Sequence, residues 1–388
     1  MSYISHISLS QFRSYQYAEI KNMASGLVVI TGANGAGKTN ILEAISLLSP
    51  GRGLRSARHE EIQHHPQTPD NTPQNFSPWA VSAVIQTGSS DVQLGTGIDP
   101  LTGKRIIRIN GVTAKSQTAL ADYVSCLWLT PQMDRLFMEG ASGRRRFFDK
   151  LIFTFDPAHA GRVTRYENAM SQRSKLLREG HADTAWLTAL ESQMSETGVS
   201  ISAARLEFLG QLQTACDSAD IQETHFFPHS RLSLTGTTEE LLLRLPAIEV
   251  EDMLSYQLAQ SRERDAETGG AASGPHKTDF CAVFSAKNMP ADQCSTGEQK
   301  ALLIGIILAH ARLMRAEKNH VPILLLDEVS AHLDAQRRQA LFDRLIHLGG
   351  QVFMTGTDPA SFSACLGRAA FLTVSEAKIT PQNTPLAA

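Results

Sequence analysis

The chain has 388 residues, of which 42% are hydrophobic and 19% charged, and its formal net charge at pH 7 is −3. These values are typical of a globular protein large enough for two lobes, and they exclude a uniformly basic protein, so any nucleic-acid surface must be local. No apolar run is long enough to span a bilayer, and the first residues do not resemble a secretory signal. The five cysteines are scattered without a CxxC pair, which favours a cytoplasmic protein over a disulfide framework or a zinc site.

A glycine-rich turn lies between a predicted strand and a predicted helix near the start of the chain. Residues 1–31 are predicted to form two strands, of which the second is the apolar run at 27–30, and a helix is predicted from Lys38. The turn matches GxxxxGK[ST] and comprises Gly32, Ala33, Asn34, Gly35, Ala36, Gly37, Lys38 and Thr39, followed by Asn40. In this pattern backbone N–H groups approach phosphate oxygens, the lysine reaches the β- and γ-phosphates, and the threonine hydroxyl ligates Mg²⁺. The flanking strand and helix favour an ATP site over a chance glycine-rich turn.

The next segment is predicted to be an antiparallel patch beside the nucleotide site. An arginine-rich segment at 51–58 follows the helix, and a polar segment at 63–78 is predicted to be a mobile surface loop. Strand candidates lie at 79–86, 92–98 and 105–109, and Asn110-Gly111 is a strong hairpin-turn signal.

From about residue 120 to about 266 the pattern becomes typical of helices. They are predicted at 144–155, 163–178, 184–216 and 248–264, and the third carries apolar residues on one face. A glycine-rich break at 268–275 precedes a strand candidate at 279–284. We therefore predict a helical lobe inserted between two parts of an ATPase lobe.

A second group of motifs lies in the last third of the chain. An apolar helix is predicted from about residue 295 to about 314, and a buried strand at 323–328 ends in Asp327 and Glu328. A helix at 335–348 and a strand at 351–355 follow, and the end of the chain at 376–388 is predicted to be a flexible tail.

Two acids at the end of a buried strand suit a P-loop site, because the carboxyl ends of parallel strands meet at one crevice. Asp327 is predicted to hold Mg²⁺ through its water shell, and Glu328 is predicted to polarise the attacking water as general base. The predicted catalytic residues are therefore Lys38, Asp327 and Glu328, with ATP and Mg²⁺ as ligands.

The segment at 295–299 has two interpretations. It comprises Ser295, Thr296, Gly297, Glu298 and Gln299. Ser295 followed by Glu298 before an apolar run is a capping box, and a capped helix N-terminus near a glycine is also an anion site. The order of glycine loop, Ser-x-Gly-x-Gln, Asp-Glu and Ser-Ala-x-x-Asp resembles that of the ABC-type ATPases. The resemblance implies that Ser295 and Gly297 face the γ-phosphate of ATP held by a second subunit, with the D-loop residues Ser330 and Asp334 at the dimer seam.

Of two further elements of the ABC pattern, one has a second explanation and one is missing. Gln132, after Thr130-Pro131, resembles the Q-loop glutamine that senses Mg²⁺ and the γ-phosphate, although a turn opening a helix after Pro131 explains the same residues. ABC proteins usually place a histidine after the strand that follows the D-loop, and residues 352–358 contain none. Thr357 and Asp358 are the candidates to replace it.

Taken together, the motifs resemble the RecF family, relatives of the SMC proteins without their long coiled coil. The P-loop and Asp-Glu motifs are shared with many ATPases, whereas RRRFFD at 144–149 and GPHKTD at 274–279 are much more specific. FRSY at 12–15, GRGLR at 51–55 and TPQMD at 130–134 also match. The segment between Lys38 and Ser295 is long for a transporter ATPase, yet too short and irregular for heptad-patterned arms.

The resemblance implies an α/β ABC-type ATPase head, that is, a P-loop NTPase with a mixed sheet, an antiparallel patch and an inserted helical lobe. The lobes are predicted at 1–125 with 313–375 and at 126–312. The family resemblance also implies a weak, DNA-stimulated ATPase that forms a dimer when it binds ATP and that binds gapped DNA without sequence specificity. Such a protein helps RecR and RecO load RecA in recombinational repair, replication restart and SOS induction.

Several arginines are candidates for contacts with the nucleotide or with DNA. In SMC-like relatives an early arginine approaches the nucleotide, which suggests Arg13, although a surface arginine on a strand edge fits equally. The candidates for DNA phosphates are Arg52, Arg55, Arg58, Arg105, Arg108, Arg144, Arg145 and Arg146. The last three could instead cover the helical lobe with their stems. Because aromatic and basic residues do not alternate, we expect contacts to the DNA backbone.

Three other interpretations compete with this one. A transporter ATPase subunit would need a membrane partner, and the long insert and the missing histidine argue against it. An SMC-like DNA-end nuclease would carry a further acidic, metal-binding domain. An inert structural DNA clamp would bind DNA without hydrolysing ATP.

Overall fold

The computed structural model describes residues 2–65, 77–88, 90–180, 183–218, 226–331 and 333–382. The chain divides into two compact units, one formed by residues 1–133 with 311–388 and the other by residues 134–310. The strand Cys126–Leu129, which the predicted boundaries gave to the helical lobe, pairs within a sheet of the first unit. Most of the segment predicted to be a mobile loop, residues 66–76, lies outside the described residues.

The first unit contains two six-stranded sheets. Its strands are β1 (Tyr3–Phe12), β2 (Tyr15–Ile20), β3 (Leu27–Thr31), β4 (Ala80–Gln86), β5 (Asp91–Ile98), β6 (Arg105–Ile109), β7 (Val112–Thr113), β8 (Cys126–Leu129), β12 (Ile323–Leu326), β13 (Val352–Gly356), β14 (Ala369–Ser375) and β15 (Lys378–Pro381). Its helices are α1 (Lys38–Ser46), α2 (His59–Ile62) and α10 (Ala335–Leu348).

The second unit combines helices with a three-stranded antiparallel sheet of order β11-β10-β9. The strands are β9 (Ser230–Thr235), β10 (Asp279–Phe284) and β11 (Met289–Pro290). The helices are α3 (Ala141–Phe155), α4 (Ala158–Glu179), α5 (Thr184–Asp217), α6 (Thr237–Leu242), α7 (Ala247–Gln260) and α8 (Arg262–Thr268), and α9 (Thr296–Lys318) begins in this unit. Among the helices of the described ranges, none is long and apolar enough to cross a membrane.

The sheet that positions the nucleotide motifs has the order β15-β14-β3-β13-β12-β8. Strands β8, β12, β13, β3 and β14 pair in parallel, so their carboxyl ends lie at one edge. All residues of β3, β12 and β13 are buried, as expected for parallel strands covered on both faces. β13 lies between β3 and β12, so its last residues must lie beside both nucleotide motifs.

The antiparallel patch has the order β2-β1-β4-β5-β6-β7. Asn110 and Gly111 have φ angles of 50° and 81°, which suits a type I′ turn and confirms the predicted hairpin. The prediction of two strands before residue 31 was wrong, because the chain reverses at Arg13 and forms a third strand, β2.

Three other predictions of secondary structure were wrong. The region predicted to be helical contains β8 and β9, and the predicted helix at 248–264 breaks at Ser261, whose hydroxyl donates to Asp265. The predicted flexible tail begins as a hairpin, because β15 pairs with β14 as far as Pro381. Only residues 383–388 of that tail lie outside the described residues.

A fully buried ion network joins three helices of the second unit. Arg173 of α4 is 0% exposed and donates to Glu191 of α5 at 2.8 Å and to Asp265 of α8 at 2.8 Å. Its remaining N–H groups donate to the carbonyls of Leu258 and Gly270. The guanidinium is therefore surrounded by acceptors, which offsets its loss of hydration.

We expect the substitution Arg173→Met to lower the free energy of unfolding by about 3–5 kcal/mol, because it leaves two carboxylates buried without this cation. The matched control is Lys175→Met on the same helix, where Lys175 is exposed and forms a surface ion pair with Glu179. That change should cost less than about 1 kcal/mol. Urea titrations followed by circular dichroism would measure both, and equal losses would contradict a structural role for the Arg173 network.

Candidate nucleotide-binding site

The glycine loop at 32–37 connects β3 to α1 and needs glycine at two positions. Gly32 has a φ of 154°, and a Cβ there would lie 2.2 Å from the carbonyl oxygen of Val374. Gly37 has a φ of 114°, and a Cβ there would lie 2.6 Å from the hydroxyl oxygen of Tyr15. The loop can therefore take this path only with glycine at these two positions, where the missing side chains let backbone N–H groups approach a phosphate. α1 begins at Lys38 and adds the partial positive charge of its first turn.

Lys38 is the cation of this loop, and it is 5% exposed. Its Nζ donates to the carbonyl oxygens of Gly32 at 2.8 Å and Ala33 at 3.1 Å. The same Nζ lies 3.4 Å from Oε1 of Glu328. The ammonium group is thus held over the glycine loop and beside the predicted general base.

Thr39 and Asp327 meet although 288 positions separate them in the sequence. The Thr39 hydroxyl lies 3.0 Å from both carboxylate oxygens of Asp327, which is 6% exposed. Hydroxyl and carboxylate oxygens are the hard ligands that Mg²⁺ prefers, and Mg²⁺ usually takes few protein ligands beside substrate phosphates and water. Elsewhere in the described ranges, no group of three or more His, Cys, Asp or Glu side chains is suited to a metal ion. The Thr39–Asp327 pair therefore fits the predicted Mg²⁺ position.

Thr355 is a residue of this site that the sequence analysis missed. Its hydroxyl donates to Oδ1 of Asp327 at 2.6 Å and accepts the backbone N–H of Glu328 at 2.9 Å. Thr357 and Asp358, the candidates named from the sequence, are exposed, and Asp358 caps the following short helix by accepting the N–H of Ala360. The available signal was the position of Thr355 at the carboxyl end of the strand predicted at 351–355.

Glu328 is held in an unusual backbone conformation. Its φ is 49°, a region that glutamate rarely adopts, and its side chain is 27% exposed. The Thr355 hydroxyl fixes the amide of this residue, and Lys38 lies beside its carboxylate. Strained residues of this kind cluster at functional sites, where the surrounding contacts hold them in place.

Arg13 lies beside the glycine loop and forms an ion pair with the carboxylate of Glu43. Its guanidinium makes two hydrogen bonds to Glu43, at 2.8 and 2.6 Å, and Glu43 is 1% exposed. Arg55 donates to the same carboxylate at 2.9 Å and to Oδ1 of Asn40 at 2.8 Å. Glu43 was missed in the sequence, although an acid among the buried apolar residues of α1 is a signal of such a partner. A contact of Arg13 with nucleotide stays a prediction.

Gln132 is exposed and lies in a short 3₁₀ helix, Pro131–Arg135, directly after β8. β8 pairs with β12, and the N–H of Asp327 donates to the carbonyl of Leu129. The predicted turn after Pro131 is confirmed, and Gln132 follows the sheet edge that carries Asp327. Its role as a sensor of Mg²⁺ and the γ-phosphate stays a prediction.

The 295–299 segment opens α9 in the second unit. Glu298 accepts the backbone N–H and the hydroxyl of Ser295 at 2.9 and 2.8 Å and also pairs with Lys287. These contacts, with Lys287 the largest, lower the pKa of Glu298 to about 2. Ser295 and Thr296 are exposed, Gly297 is half-buried, and Gln299 is buried with its amide donating to the carbonyl of Cys294. Glu298 therefore caps the start of the helix, while Ser295 lies exposed at its tip. The role of Ser295 at a nucleotide stays a prediction.

The D-loop candidates lie in the first unit, after β12. Asp334 is exposed and caps α10 by accepting the N–H of Arg337 at 2.8 Å. Ser330 is half-buried. The capping contact gives Asp334 a structural role that the sequence analysis did not consider, and its position at a dimer seam stays a prediction.

Several predicted DNA arginines are bonded within their own unit. Arg144 makes a two-pronged ion pair with Asp279 at 2.7 Å and donates to the carbonyls of Phe137 and Glu139. Arg145 donates to the carbonyl of Thr278 at 2.7 Å. The guanidinium of Arg144 is thus occupied by internal acceptors. Among the predicted DNA arginines, those with exposed side chains are Arg52, Arg55, Arg58, Arg108 and Arg146.

These arginine contacts join the two most specific sequence motifs, RRRFFD and GPHKTD. Arg205 strengthens the same junction, because it pairs with Asp149 at 2.8 Å and donates to the carbonyl of Pro275 at 2.6 Å. Phe148 stacks on Phe280 with 4.6 Å between ring centroids. The two motifs therefore form one structural junction of the second unit.

Comparison with known proteins places the chain in a family. The model of the RecF/RecN/SMC N terminal domain matches residues 3–379. A protein of Rhizobium rhizogenes named DNA replication and repair protein RecF is 46% identical over 380 residues, which are 97% of this chain and 98% of that protein. A protein of Mesorhizobium japonicum with the same name is 45% identical over 382 residues, 98% of both chains.

Solved structures agree in fold. One described as the recombination mediator protein RecF-ATPrS in the RecFOR pathway has a TM-score of 0.83 and 21% identity, covering 100% of this chain and 98% of the other. An Smc head domain from Pyrococcus furiosus has a TM-score of 0.55 and 16% identity, covering 98% of this chain and 96% of the other. These likenesses identify the ABC-type ATPase fold that the sequence predicted. With the family model matched over nearly the whole length, this chain belongs to the RecF family of ABC/SMC-type ATPases.

Proposed function

We propose that this protein is an ATP-driven DNA clamp in which hydrolysis of ATP resets the binding state. The observation that carries the proposal is the group formed by Lys38, Thr39, Asp327, Glu328 and Thr355 at one edge of the parallel sheet. It combines a phosphate-binding cation, hard oxygen ligands and a carboxylate base. The relatives named DNA replication and repair protein RecF support DNA as the second ligand.

The residues suit phosphoryl transfer to water. The glycine-loop N–H groups and Lys38 bind the phosphates of ATP, and Mg²⁺, held by Thr39 and Asp327, would neutralise their charge when bound. Glu328 accepts a proton from the attacking water as the oxygen bonds to the γ-phosphorus, and ADP leaves with the electrons of the broken bond. Thr355 acts as a positioning residue, since it fixes the amide of Glu328 and the carboxylate of Asp327.

The clamp requires two copies of the chain. We infer that Ser295 and Gly297 of one copy complete the γ-phosphate site of the other, as in the ABC family order, with Ser330 and Asp334 near the seam. The exposure of Ser295 at the tip of α9 supports this role. ATP then stabilises the closed dimer on gapped DNA, turnover is slow and is stimulated by DNA, and RecR and RecO are the inferred partners in loading RecA. The structural neighbour described within the RecFOR pathway supports that assignment.

We expect Lys38→Met to abolish ATP binding or ATP-driven dimerisation, because it removes the ammonium group held over the glycine loop by Gly32 and Ala33. Equilibrium binding of a fluorescent ATP analogue and light scattering with ATP would measure the two properties. Lys104→Met, at an exposed lysine of the same unit, is the control. Normal dimerisation of the Lys38 variant would contradict the P-loop assignment.

We expect Glu328→Gln to bind ATP and remain dimeric while its hydrolysis rate falls by about 10²–10⁴-fold, because the amide cannot accept the proton of water. Phosphate release with and without gapped DNA would measure the rate. Glu240→Gln, at an exposed glutamate, should retain the wild-type rate. A Glu328 variant with unimpaired hydrolysis would exclude this residue as the base.

We expect Ser295→Arg to leave ATP binding by the monomer intact and to block the ATP-dependent dimer. The arginine side chain is much longer than that of serine, so it cannot fit against a γ-phosphate held by the second copy. Sizing the protein by light scattering without nucleotide, with ADP and with ATP would test this, with and without gapped DNA. The control is Ser192→Arg, an exposed serine on α5 of the same unit. Dimers of the Ser295 variant at wild-type levels would refute the trans site.

A further inference from the structure

A basic groove of about 670 Å³ opens in the first unit between the 51–62 segment and the β6–β7 hairpin. Its walls include Arg52, Arg58, Arg105 and Lys115, and its described lining holds one carboxylate, that of Glu60. The whole chain carries a net charge of −3, so the positive charge of this groove is opposite in sign to the net charge of the protein. Such a local concentration of cations attracts polyanions.

Arg105 forms the fixed part of the groove. Its guanidinium donates to Oγ1 of Thr96 and to the carbonyls of Gly51 and Leu47. Burial lowers the pKa of Arg105 to about 10, so the side chain stays charged at neutral pH. Because its described hydrogen-bond partners are neutral oxygens, they hold its position without cancelling its charge. The bond to Leu47 also joins the groove to the end of α1, the helix that begins at Lys38.

Three other cations of the groove are exposed. Arg52, Arg58 and Lys115 all point their charge toward solvent, and no carboxylate of the described ranges forms an ion pair with them. They differ in this respect from Arg13, Arg55 and Arg144, each of which is paired with an acid. The three unpaired side chains of the groove can exchange small counterions for a bound polyanion.

The other lining residues favour a phosphate backbone over a protein. Leu47, Ile62 and Ile107 are buried and Ile106 is half-buried, so the described lining holds no fully exposed large apolar side chain of the kind that anchors protein partners. His59 is the one ring in its described lining, which leaves little surface for base stacking. Cations without stacking rings or apolar anchors suit contacts to phosphates that do not depend on base sequence.

We propose that this groove binds the sugar–phosphate backbone of DNA, with Arg52, Arg58 and Lys115 contacting successive phosphates around the fixed charge of Arg105. The proposal rests on the proposed DNA-clamp function and assigns it a surface. It adds Lys115 to the residues named from the sequence and gives Arg105, one of those residues, the role of a charge fixed by internal hydrogen bonds.

The test compares DNA binding by wild type and by the combined variant Arg52→Gln, Arg58→Gln and Lys115→Gln. Anisotropy of a labelled gapped duplex with ATP would be measured from about 50 to 200 mM salt, over which phosphate contacts dominate the change in affinity. The combined variant should bind about tenfold more weakly at low salt, and its log K against log salt should flatten by about 0.9 for each lost contact. The charge-matched control is Lys21→Gln, Arg244→Gln and Lys378→Gln, at exposed positions that do not line the groove.

A second variant separates binding from folding defects. Glu60→Gln removes the carboxylate of the groove and should tighten DNA binding, an effect that partial unfolding cannot produce. ATP-dependent dimerisation and the melting temperature of each variant should match wild type, because none of these side chains lies at the nucleotide site.

The outcomes distinguish the groove from the clamp function. Wild-type protein that fails to bind gapped DNA would overturn both. Wild-type binding with an unchanged salt slope in the combined variant would overturn the groove and leave the clamp function standing. If the combined variant kept the wild-type salt slope for DNA but lost binding of labelled poly-aspartate, the groove would be assigned to an acidic protein partner. That result would overturn the DNA proposal.

Discussion

The hydroxyl of Thr355 joins the two acidic residues of the candidate catalytic site. It donates to Asp327 and accepts the amide of Glu328, and Asp327 in turn meets the hydroxyl of Thr39. This chain of hydrogen bonds exists because β13 lies between β3 and β12, so three strand ends converge. A different strand order would separate the glycine loop from its acids, and no local property of either motif could restore the site.

Buried ion pairs stabilise different features in the two units. Around α1, Glu43 holds Arg13 and Arg55 near the glycine loop, so the early arginine and the arginine-rich segment are coupled to the nucleotide site. In the second unit, Arg173 and Arg205 connect helices and loops that are distant in sequence. Removing one member of such a pair is costly, so the internal contacts of Arg144, Arg145 and Arg205 give RRRFFD and GPHKTD a structural role.

Prediction from sequence succeeded where the signal is local. The Asn110-Gly111 turn, β6, β10 and α10 follow from turn residues and from the spacing of apolar side chains, and all were confirmed within a few residues. It failed for β8 and β9, which are short strands in a region whose composition is typical of helices. It did not reveal the internal hydrogen bonds of Arg105 and Arg144, because a sequence does not show whether an arginine finds a carbonyl or a carboxylate in the fold.

By itself the sequence determined that the chain carries a P-loop, a strand ending in two acids and a capped serine–glycine turn, since each depends on neighbouring residues only. The family followed from the order of these motifs. Only the tertiary structure decided that Thr355 fixes Asp327 and Glu328, that Glu43 holds Arg13, and which arginines keep an unpaired charge. These contacts join residues far apart in the chain, and their partners are selected by strand order and burial, which no local pattern of residues encodes.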